Sequence, residues 1–372
     1  MRKQWLAGIL LLTAFLGLLL TACSKQDAGA VTQTEETRPL AETTFPAVAE
    51  TEPPMTEPPE TEPPETEPPA EHYVISFAGD CTFGGTEALS TAGLGFSKTV
   101  GEDYGYPLRN VQCYFAQDDL TLVNLEGPLT DTGYPTSGKA FNFKGSTAYT
   151  QILTQGSVEA VGFSNNHVRD YGEKGYQSTL DALDAAGIPY VTQDSWRILT
   201  LGEDFQVGIF AGMFYTTPDK VVAGVEELKA QNVDFIIVAL HWGTEYSYTP
   251  IVENQTNIAH AAIDAGADVV WGHHPHVLQP IEEYGNGIIF YSMGNFSFGG
   301  NTLPRDFDSA VIQLRLVRAA DGTVTREATD VYPVCISSDP KTNNYQPTPY
   351  DPDSEEYSRV LEKLNWSNPN SR

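Results

Sequence analysis

Three of the seven histidines lie within four positions, at His273, His274 and His276. They belong to the segment WGHHPHVLQP, residues 271–280. Imidazoles this close together repel one another when protonated, and they are poor residues for filling an apolar core. A bound cation would remove both problems, because neutral imidazole nitrogens are common metal ligands. The spacing therefore predicts a metal site whose other ligands come from elsewhere in the chain.

Four other segments carry metal-ligand residue types where an apolar run ends. They supply Asp80 in YVISFAGD, Asn124 and Glu126 in LTLVNLEG, Asn165, Asn166 and His167 in AVGFSNNH, and His241 after FIIVAL. The carboxyl ends of strands in open α/β sheets line the ligand crevice, so we expect these side chains to converge. Carboxylates, amide oxygens and imidazoles suit a divalent cation without any thiolate ligand.

Each of these residues also has a purely structural explanation. A strand-end aspartate such as Asp80 commonly caps a turn or a helix, and a lone histidine such as His241 is often a satisfied boundary residue. The pair Asn165 and Asn166 would also suit left-handed turn geometry. The convergence of all of them at strand ends in one topology favours the metal site.

The chain from Tyr73 onwards alternates short apolar runs with amphipathic stretches, which is typical of an α/β fold. The amphipathic stretches predict helices near residues 174–187, 219–230 and 251–265. Near-continuous apolar runs are typical of strands that are buried on both faces. Several late strands follow one another without helices, so we expect a mixed sheet or two sheets packed together.

Residues 1–23 resemble a lipoprotein signal peptide. Arg2 and Lys3 precede an uncharged apolar run at residues 5–22, and LTAC at residues 20–23 resembles the bacterial lipobox, in which the cysteine is acylated. Cys23 is thus the expected lipidation site; the alternative is an uncleaved signal anchor in which this cysteine has no role. Either reading places the protein at the extracellular face of the bacterial cell membrane.

Residues 24–71 form a Thr/Glu/Pro-rich segment in which Thr-Glu-Pro-Pro repeats every five residues. Prolines remove backbone donors and restrict φ, so this segment is expected to be a disordered, extended linker. Residues 27–71 contain twelve acidic residues and one arginine, and thus carry −11 of the net charge of −28. The segment would hold a folded domain away from the membrane.

The remainder of the chain is also acidic, and it has no cluster of lysine or arginine. Nucleic acid is therefore excluded as a partner, because such binding depends on releasing counterions from phosphates. If Cys23 is acylated, three cysteines remain, at Cys81, Cys113 and Cys335. An odd number this small excludes a disulfide scaffold.

Six motifs, in this order, resemble the CapA family of poly-γ-glutamate capsule proteins over residues 73–300. They are FAGD, NLEGPLT, SNNHVRDYG, LHWGTEY, GHHPHVLQPIE and YSMGNFSFGG. That family is similar to the calcineurin-like metallophosphoesterases. The resemblance implies a four-layer α/β/β/α sandwich over residues 72–340, a C-terminal tail at residues 341–372, and one or two divalent metal ions (Mn, Fe or Zn).

The resemblance also implies roles for single residues. The metal ligands would be Asp80, Glu126, Asn166, His241, His274 and His276, with His273 competing for one of the last two places. His167 would be the proton donor beside the substrate. The metallophosphoesterase motif Asp-x-His is absent, because Cys81 and Thr82 follow Asp80, and this leaves open whether one or two ions bind.

Several nearby polar residues are further candidates for the site. Asp170 would orient His167, although it would also suit a cap of the turn toward Gly172. Glu245 would hold a ligand imidazole through its second nitrogen, or it would be a solvent-facing loop acid. Asn124 and Asn165 belong to the strand-end set of possible ligand residues. Ser292 and Asn295 are candidates for lining the pocket, for which a strand-to-loop turn is the alternative.

Three classes of function are compatible with these features. The first is a surface component of poly-γ-glutamate synthesis, export or anchoring, with a metal centre that supports hydrolase chemistry. The second is a stand-alone metal-dependent phosphoesterase or amide hydrolase of the cell envelope, and the third is a non-catalytic polymer-binding module. The expected partners are an anionic polymer or another envelope substrate, the membrane through the lipid anchor, and capsule synthesis proteins.

Overall fold

Fourteen strands and eight α-helices form within residues 70–367, the part of the chain that this computed structural model describes. The predicted signal peptide and the predicted linker up to residue 69 lie outside the described residues. Within residues 70–367, no helix combines the length and the apolar character needed to cross a membrane.

Strands recur along the whole described range, as the apolar runs predict. In chain order they are β1 (Glu71–Thr82), β2 (Leu120–Leu125), β3 (Ala160–Phe163), β4 (Tyr190–Thr192), β5 (Ser195–Leu201), β6 (Phe205–Met213), β7 (Phe235–His241), β8 (Val269–His273), β9 (Ile281–Tyr284), β10 (Gly287–Phe290), β11 (Asn295–Phe298), β12 (Asp308–Arg318), β13 (Val324–Cys335) and β14 (Thr348–Pro349).

The helices include the three that the amphipathic stretches predict. They are α1 (Glu87–Thr91), α2 (Phe96–Val100), α3 (Gln112–Phe115), α4 (Thr150–Gln155), α5 (Gly172–Ala186), α6 (Pro218–Lys229), α7 (Asn257–Ala265) and α8 (Glu355–Lys363). A 3₁₀ turn covers Thr147–Tyr149, and a π-helical turn at Val252–Thr256 leads into α7. The helix predictions near residues 174–187, 219–230 and 251–265 are confirmed.

The first sheet is mixed and has β1 near its centre. Its order is β14-β13-β12-β1-β2-β3-β4, and β11 also pairs with β1. Strands β1 to β4 run parallel, whereas β12, β13 and β14 are antiparallel to their neighbours. Since β1 has neighbours on both edges, it is buried along most of its length.

The second sheet has the order β5-β6-β7-β8-β10-β9. Its four inner strands run parallel, and the antiparallel strands β5 and β9 form its edges. His241, the last residue of β7, lies opposite His273, the last residue of β8. This register brings the two histidine-bearing segments side by side.

The two sheets pack face to face through an apolar cluster that contains residues of both. The ring of Phe77 in β1 lies 5.9 Å from that of Trp271 and 5.4 Å from that of Phe290. Trp271 is completely buried, and its Nε1–H donates to Ala78 O at 3.2 Å. Two further clusters lie between the first sheet and α4 and α5, and between the second sheet and α6 and α7. The predicted α/β fold with two packed sheets is confirmed, and helices cover the outer faces.

The C-terminal residues differ from their prediction as a tail, because the described part of this segment packs on the domain. Strand β14 pairs with β13, and Val360 of α8 and the following Leu364 lie in the central cluster. Arg359 and Lys363 of α8 form ion pairs with the buried Asp308. The folded region therefore extends past residue 340. The sequence conceals this because α8 is polar except for a few apolar residues.

We expect Leu364→Ala to lower the free energy of unfolding by about 2–4 kcal/mol, because Leu364 is 1% exposed. Urea denaturation followed by circular dichroism measures this change. The matched control is Leu303→Ala, since Leu303 is 62% exposed and its truncation should change stability by less than about 0.5 kcal/mol. Equal stability of the two variants would contradict the packing of the C-terminal helix.

Candidate metal centre

The predicted metal ligands come from the carboxyl ends of five strands in two sheets. Asp80 lies in β1 and His241 ends β7, while Glu126, Asn166 and the segment 274–276 follow β2, β3 and β8. Contacts between their side chains join all five segments at one edge of the packed sheets. The convergence that the strand ends predict is therefore present.

A close approach of two backbone segments positions Asp80. Its N–H donates to Gly294 O at 2.9 Å. A Cβ at Gly79 would lie 2.2 Å from that oxygen, so glycine is required there. Asn295, the residue after Gly294, is the register partner of Asp80 in the pairing of β1 with β11. The Gly-Asp pair thus places the carboxylate beside the loop that supports the histidine turn.

The histidine turn has a strained backbone. His274 and His276 have φ values of 97° and 58°, in the left-handed region that residues other than glycine rarely adopt. Such positions cost about 1–3 kcal/mol each and occur preferentially at functional sites. Tyr246 N–H donates to the carbonyl of Pro275 at 2.7 Å, which helps to hold the turn.

Two groups of side chains present ligand atoms close enough to share a metal ion. The ligand atoms of Asp80, Glu126 and His276 all lie within 4.8 Å of one another. The same holds for Glu245, His274 and His276. His276 belongs to both groups, so the centre has ligands for one ion or for two neighbouring ions. Glu245 is exposed, as expected for a loop acid, and its carboxylate oxygen lies within 4.8 Å of the ligand nitrogens of His274 and His276.

The atoms of Glu126 show that the centre fits a cation. Glu126 Oε1 lies 3.7 Å from His241 Nε2 and 3.7 Å from His276 Nε2. This oxygen is buried, and no group within residues 70–367 hydrogen-bonds to it. A buried carboxylate oxygen without a partner is costly, and two imidazole nitrogens facing it are suitable metal ligands. Asn166 Oδ1, 2.8 Å from His241 Nε2, adds an amide oxygen to the same place.

The two buried carboxylates differ in their electrostatic environment. Burial raises the pKa of Glu126 to about 7, and the negative charge of Asp80 adds to this rise while His276 opposes it. For Asp80, burial alone would raise the pKa, but His273 and His276 hold it well below its usual range. Asp80 is therefore ionised over the physiological range, and a cation bound beside Glu126 would favour the ionised form of that carboxyl group as well.

The pKa values of the three imidazoles also differ with their surroundings. Burial lowers the pKa of His241 well below its usual value, with a further contribution from His274. Burial and then the neighbouring His276 lower the pKa of His274 to about 3. Both rings are thus neutral, as metal ligands must be. Burial would lower the pKa of His276 too, but the carboxylates of Glu126 and Asp80 raise it to about 10. Metal binding would therefore release a proton from His276.

Two asparagine side chains, hydrogen-bonded in series, hold Asp80 of β1 in place. Asn124 Nδ2 donates to Asp80 Oδ1 at 2.8 Å, and Asn165 Nδ2 donates to Asn124 Oδ1 at 3.1 Å. Asn165 Oδ1 accepts the His167 N–H at 3.1 Å. Asn124 and Asn165 thus hold Asp80 and the backbone of His167 in place, as groups behind a metal site do.

His273 and Asn295 fix the positions of Asp80 and His276 in the centre. His273 Nδ1 lies 3.0 Å from Asp80 Oδ1, and its ring packs edge-on against Trp271. His276 Nδ1 lies 3.0 Å from Asn295 Oδ1 and 3.2 Å from Asp80 Oδ2. Asn295 therefore orients the ring of His276 and leaves Nε2 directed toward Glu126.

Ser292 has a structural role in the described residues. Its hydroxyl donates to Val277 O at 2.8 Å and accepts from Gly294 N–H at 3.2 Å. The serine therefore closes the turn before β11, which was the alternative to a place in the pocket.

Thr82, two residues after Asp80 in β1, contacts Glu126. Its hydroxyl donates to Glu126 Oε2 at 3.4 Å. The preceding Cys81 is completely buried, and burial raises the pKa of its thiol, which keeps the thiol protonated and inert. The hydroxyl of Thr82 therefore helps to orient the carboxylate of Glu126.

His167 and Asp170 form a buried pair beside the centre. His167 Nδ1 lies 2.7 Å from Asp170 Oδ2, and the ring of Phe143 packs on the imidazole with centroids 4.4 Å apart. Asp170 also accepts from Lys139 Nζ at 2.5 Å and from Phe143 N–H at 2.7 Å. The aspartate therefore holds Nδ1 and fixes the orientation of the His167 ring.

Sequence reasoning missed Lys139, Phe143 and Phe214. Lys139 and Phe143 come from the loop between β2 and α4, and Lys139 Nζ also donates to Asn166 O at 2.5 Å. Phe214 follows β6, and its ring lies edge-on to His274 at a centroid distance of 4.4 Å. No spacing in the sequence links these loop residues to the histidines. The available sequence signal was the aromatic pair Phe214-Tyr215 directly after an apolar run, and the structure shows this pair to be exposed.

We expect alanine at His241, His274 or His276 to lower the amount of bound divalent metal. The melting temperature should also fall, because metal that binds only the native state contributes to stability. Elemental analysis and melting with and without a chelator measure both effects.

The control for this experiment is His260→Ala. His260 lies in α7, away from the cluster, and its Nε2 is 3.1 Å from Glu282 Oε1. Its removal should leave the metal content unchanged. Full metal occupancy in the His274→Ala and His276→Ala variants would show that the crowded turn is structural.

Comparison with known proteins places the chain in a family. Residues 74–195 and 193–300 match the bacterial capsule synthesis protein family PGA_cap. The chain is 32% identical over 249 residues to the capsule biosynthesis protein CapA of Bacillus anthracis, over 59% of this chain and 60% of that protein. It is 32% identical over 247 residues to the PGA biosynthesis protein CapA of Bacillus subtilis, over 60% of this chain and 64% of that protein. The chain thus matches less than two thirds of the length of these curated relatives.

Among solved structures, the chain is similar to the calcineurin-like phosphoesterase YfkN from Bacillus subtilis. The identity is 14% and the TM-score is 0.43, over 79% of this chain and 97% of that chain. The sequence match, by contrast, covers more than half of the chain and includes the strand-end segments of the metal centre. The protein belongs to the PGA_cap family of bacterial capsule synthesis proteins.

Proposed function

We propose that this protein is a metal-dependent hydrolase at the extracellular face of the bacterial cell membrane. It acts there in the synthesis, export or anchoring of a poly-γ-glutamate capsule, together with capsule synthesis proteins. The family and the names of the curated relatives support the process. The predicted lipobox at Cys23 supports the anchor, and the predicted linker would hold the domain away from the lipid.

One observation carries the chemical part of this proposal. Glu126 Oε1 is buried without a hydrogen-bond partner among the described residues, and it faces the Nε2 atoms of His241 and His276 at 3.7 Å each. The residues Asp80, Glu126, Asn166, His241, His274 and His276 would hold divalent metal there. Such an ion lowers the pKa of bound water and polarises the oxygen under attack.

The protein's own groups would complete the reaction. Asp170 would accept the Nδ1–H of His167, so a second proton on Nε2 makes the ring an imidazolium, which would donate its Nε2 proton to the leaving group and become neutral. Asp170 receives hydrogen bonds from Lys139 and Phe143, which fixes the carboxylate and through it the imidazole. The ring of Phe143 covers one face of His167 and restricts the access of water to it.

We expect His167→Asn to lower turnover by a factor of about 10²–10⁴, the usual effect of losing a general acid. Its metal content and melting temperature should stay close to those of the wild type, because His167 contacts Asp170 rather than the ligand atoms. The assay uses a panel of phosphoesters and γ-glutamyl peptides with the manganese-loaded protein.

The same panel decides which class of bond is broken. Turnover of phosphoesters alone would favour a stand-alone envelope phosphoesterase. A His167→Asn protein that loses its metal as completely as His274→Ala would contradict the division between ligands and acid. The absence of turnover on the whole panel would argue for a binding module.

We expect Cys23→Ala to abolish acylation, leaving an unprocessed precursor or a released protein. Metabolic labelling with a fatty-acid analogue and washing of isolated membranes measure this. Ser24→Ala is the control, because it keeps the cysteine and should remain anchored. Unchanged processing and unchanged resistance of Cys23→Ala to washing would refute the lipoprotein reading.

A further inference from the structure

Arg305 lies near the metal centre, and among the described arginines it shares with Arg169 and Arg197 an exposed position stacked on a tyrosine. Its guanidinium stacks on the ring of Tyr246, with Cζ 4.3 Å from the ring centroid. The Tyr246 ring in turn lies 6.4 Å from the ring of His276. Arg305 is exposed, and within residues 70–367 no carboxylate forms an ion pair with it. An arginine in this state keeps its planar set of donors available to an anion.

The nearest acidic residues are engaged elsewhere. Glu245, which precedes Tyr246, directs its carboxylate toward the ligand nitrogens of His274 and His276. Asp306, which follows Arg305, is 9% exposed, and its Oδ2 accepts from Tyr248 at 2.8 Å and from Lys363 at 2.5 Å. The charge of Arg305 is therefore not neutralised from within the fold.

Tyr248, Asp306 and Lys363 also make the arrangement rigid. Tyr248 and Tyr246 belong to the loop after β7, whereas Arg305 and Asp306 belong to the loop between β11 and β12. The bond between Tyr248 and Asp306, completed by Lys363 from α8, ties the two loops together. Tyr246 itself has a φ of 60°, a strained value for a tyrosine. A guanidinium held in advance loses little freedom when it binds an anion.

We propose that Arg305, stacked on Tyr246, is a binding subsite for a carboxylate of an anionic polymer substrate, adjacent to the bond that is cleaved. The planar guanidinium matches a carboxylate in a bidentate pair. A chain of net charge −28 repels a polyanion over most of its surface, so binding depends on local cations such as this one. The substrate class rests on the proposed function, since poly-γ-glutamate carries one carboxylate per residue.

The test measures binding separately from hydrolysis. A fluorescent γ-glutamyl hexamer is titrated into the full chain, purified in detergent and loaded with manganese, and its anisotropy is recorded. We expect Arg305→Gln to weaken binding about 10- to 100-fold, the effect of losing a hydrogen-bonded charge pair. Arg305→Lys should restore part of the affinity, because it keeps the charge but not the planar fork.

The matched control is Arg169→Gln. Arg169 also stacks on a tyrosine, Tyr176, at 4.0 Å, but Glu173 neutralises it at 3.1 Å. This variant should bind the hexamer within about twofold of the wild type, since its surface ion pair contributes little. All variants should keep the wild-type metal content. A second probe, the hexamer with its α-carboxylates converted to amides, should bind weakly and equally to the wild type and Arg305→Gln.

Several outcomes would overturn the subsite. These are unchanged hexamer affinity in Arg305→Gln, an equal loss for the amide probe, or a parallel loss of metal. The proposed hydrolysis is tested by turnover and the Arg305 subsite by binding, so each proposal can be refuted without the other. Binding that depends on Arg305 without turnover would leave the subsite standing, and turnover in a protein whose hexamer affinity is unchanged by Arg305→Gln would remove the subsite alone.

Discussion

The carboxylate of Asp80 joins the two sheets at the point where the metal centre forms. It receives a hydrogen bond from Asn124 in the first sheet, and it lies against His273 and His276 at the end of the second. Because Asp80 is fully buried, its charge must be matched by groups from both sheets at once. The way in which the two sheets pack therefore also determines the geometry of the site.

The same constraint explains the unusual features around it. Glycine at position 79 permits the backbone contact with Gly294, and the left-handed conformations of His274 and His276 place two imidazoles in one turn. Each feature destabilises the chain locally or restricts its sequence. They occur together because the apolar core between the sheets, centred on Trp271, holds the strand ends in register.

Much of this arrangement follows from the sequence, because strand-end residues of parallel sheets meet at one edge whatever the loops do. Asp80, Glu126 and His241 were predictable for that reason. Lys139 and Arg305 were not, since they reach the site from long loops whose paths depend on tertiary contacts. The helix α8 was also missed, because its contribution lies in a few apolar residues and in ion pairs with Asp308. Polar surface positions carry no periodic signal of such contacts.

The pairing of β1 with β12 has a consequence for the order of assembly. Ile75 lies opposite Leu314, so a central strand of the first sheet acquires its antiparallel neighbour only after some 240 intervening residues have emerged. Contacts this distant in sequence close late and slowly in folding. A chain that emerges with its N-terminus first thus exposes one edge of β1 until nearly all of it has been made. The first sheet is therefore complete only after β12, β13 and β14 have joined β1.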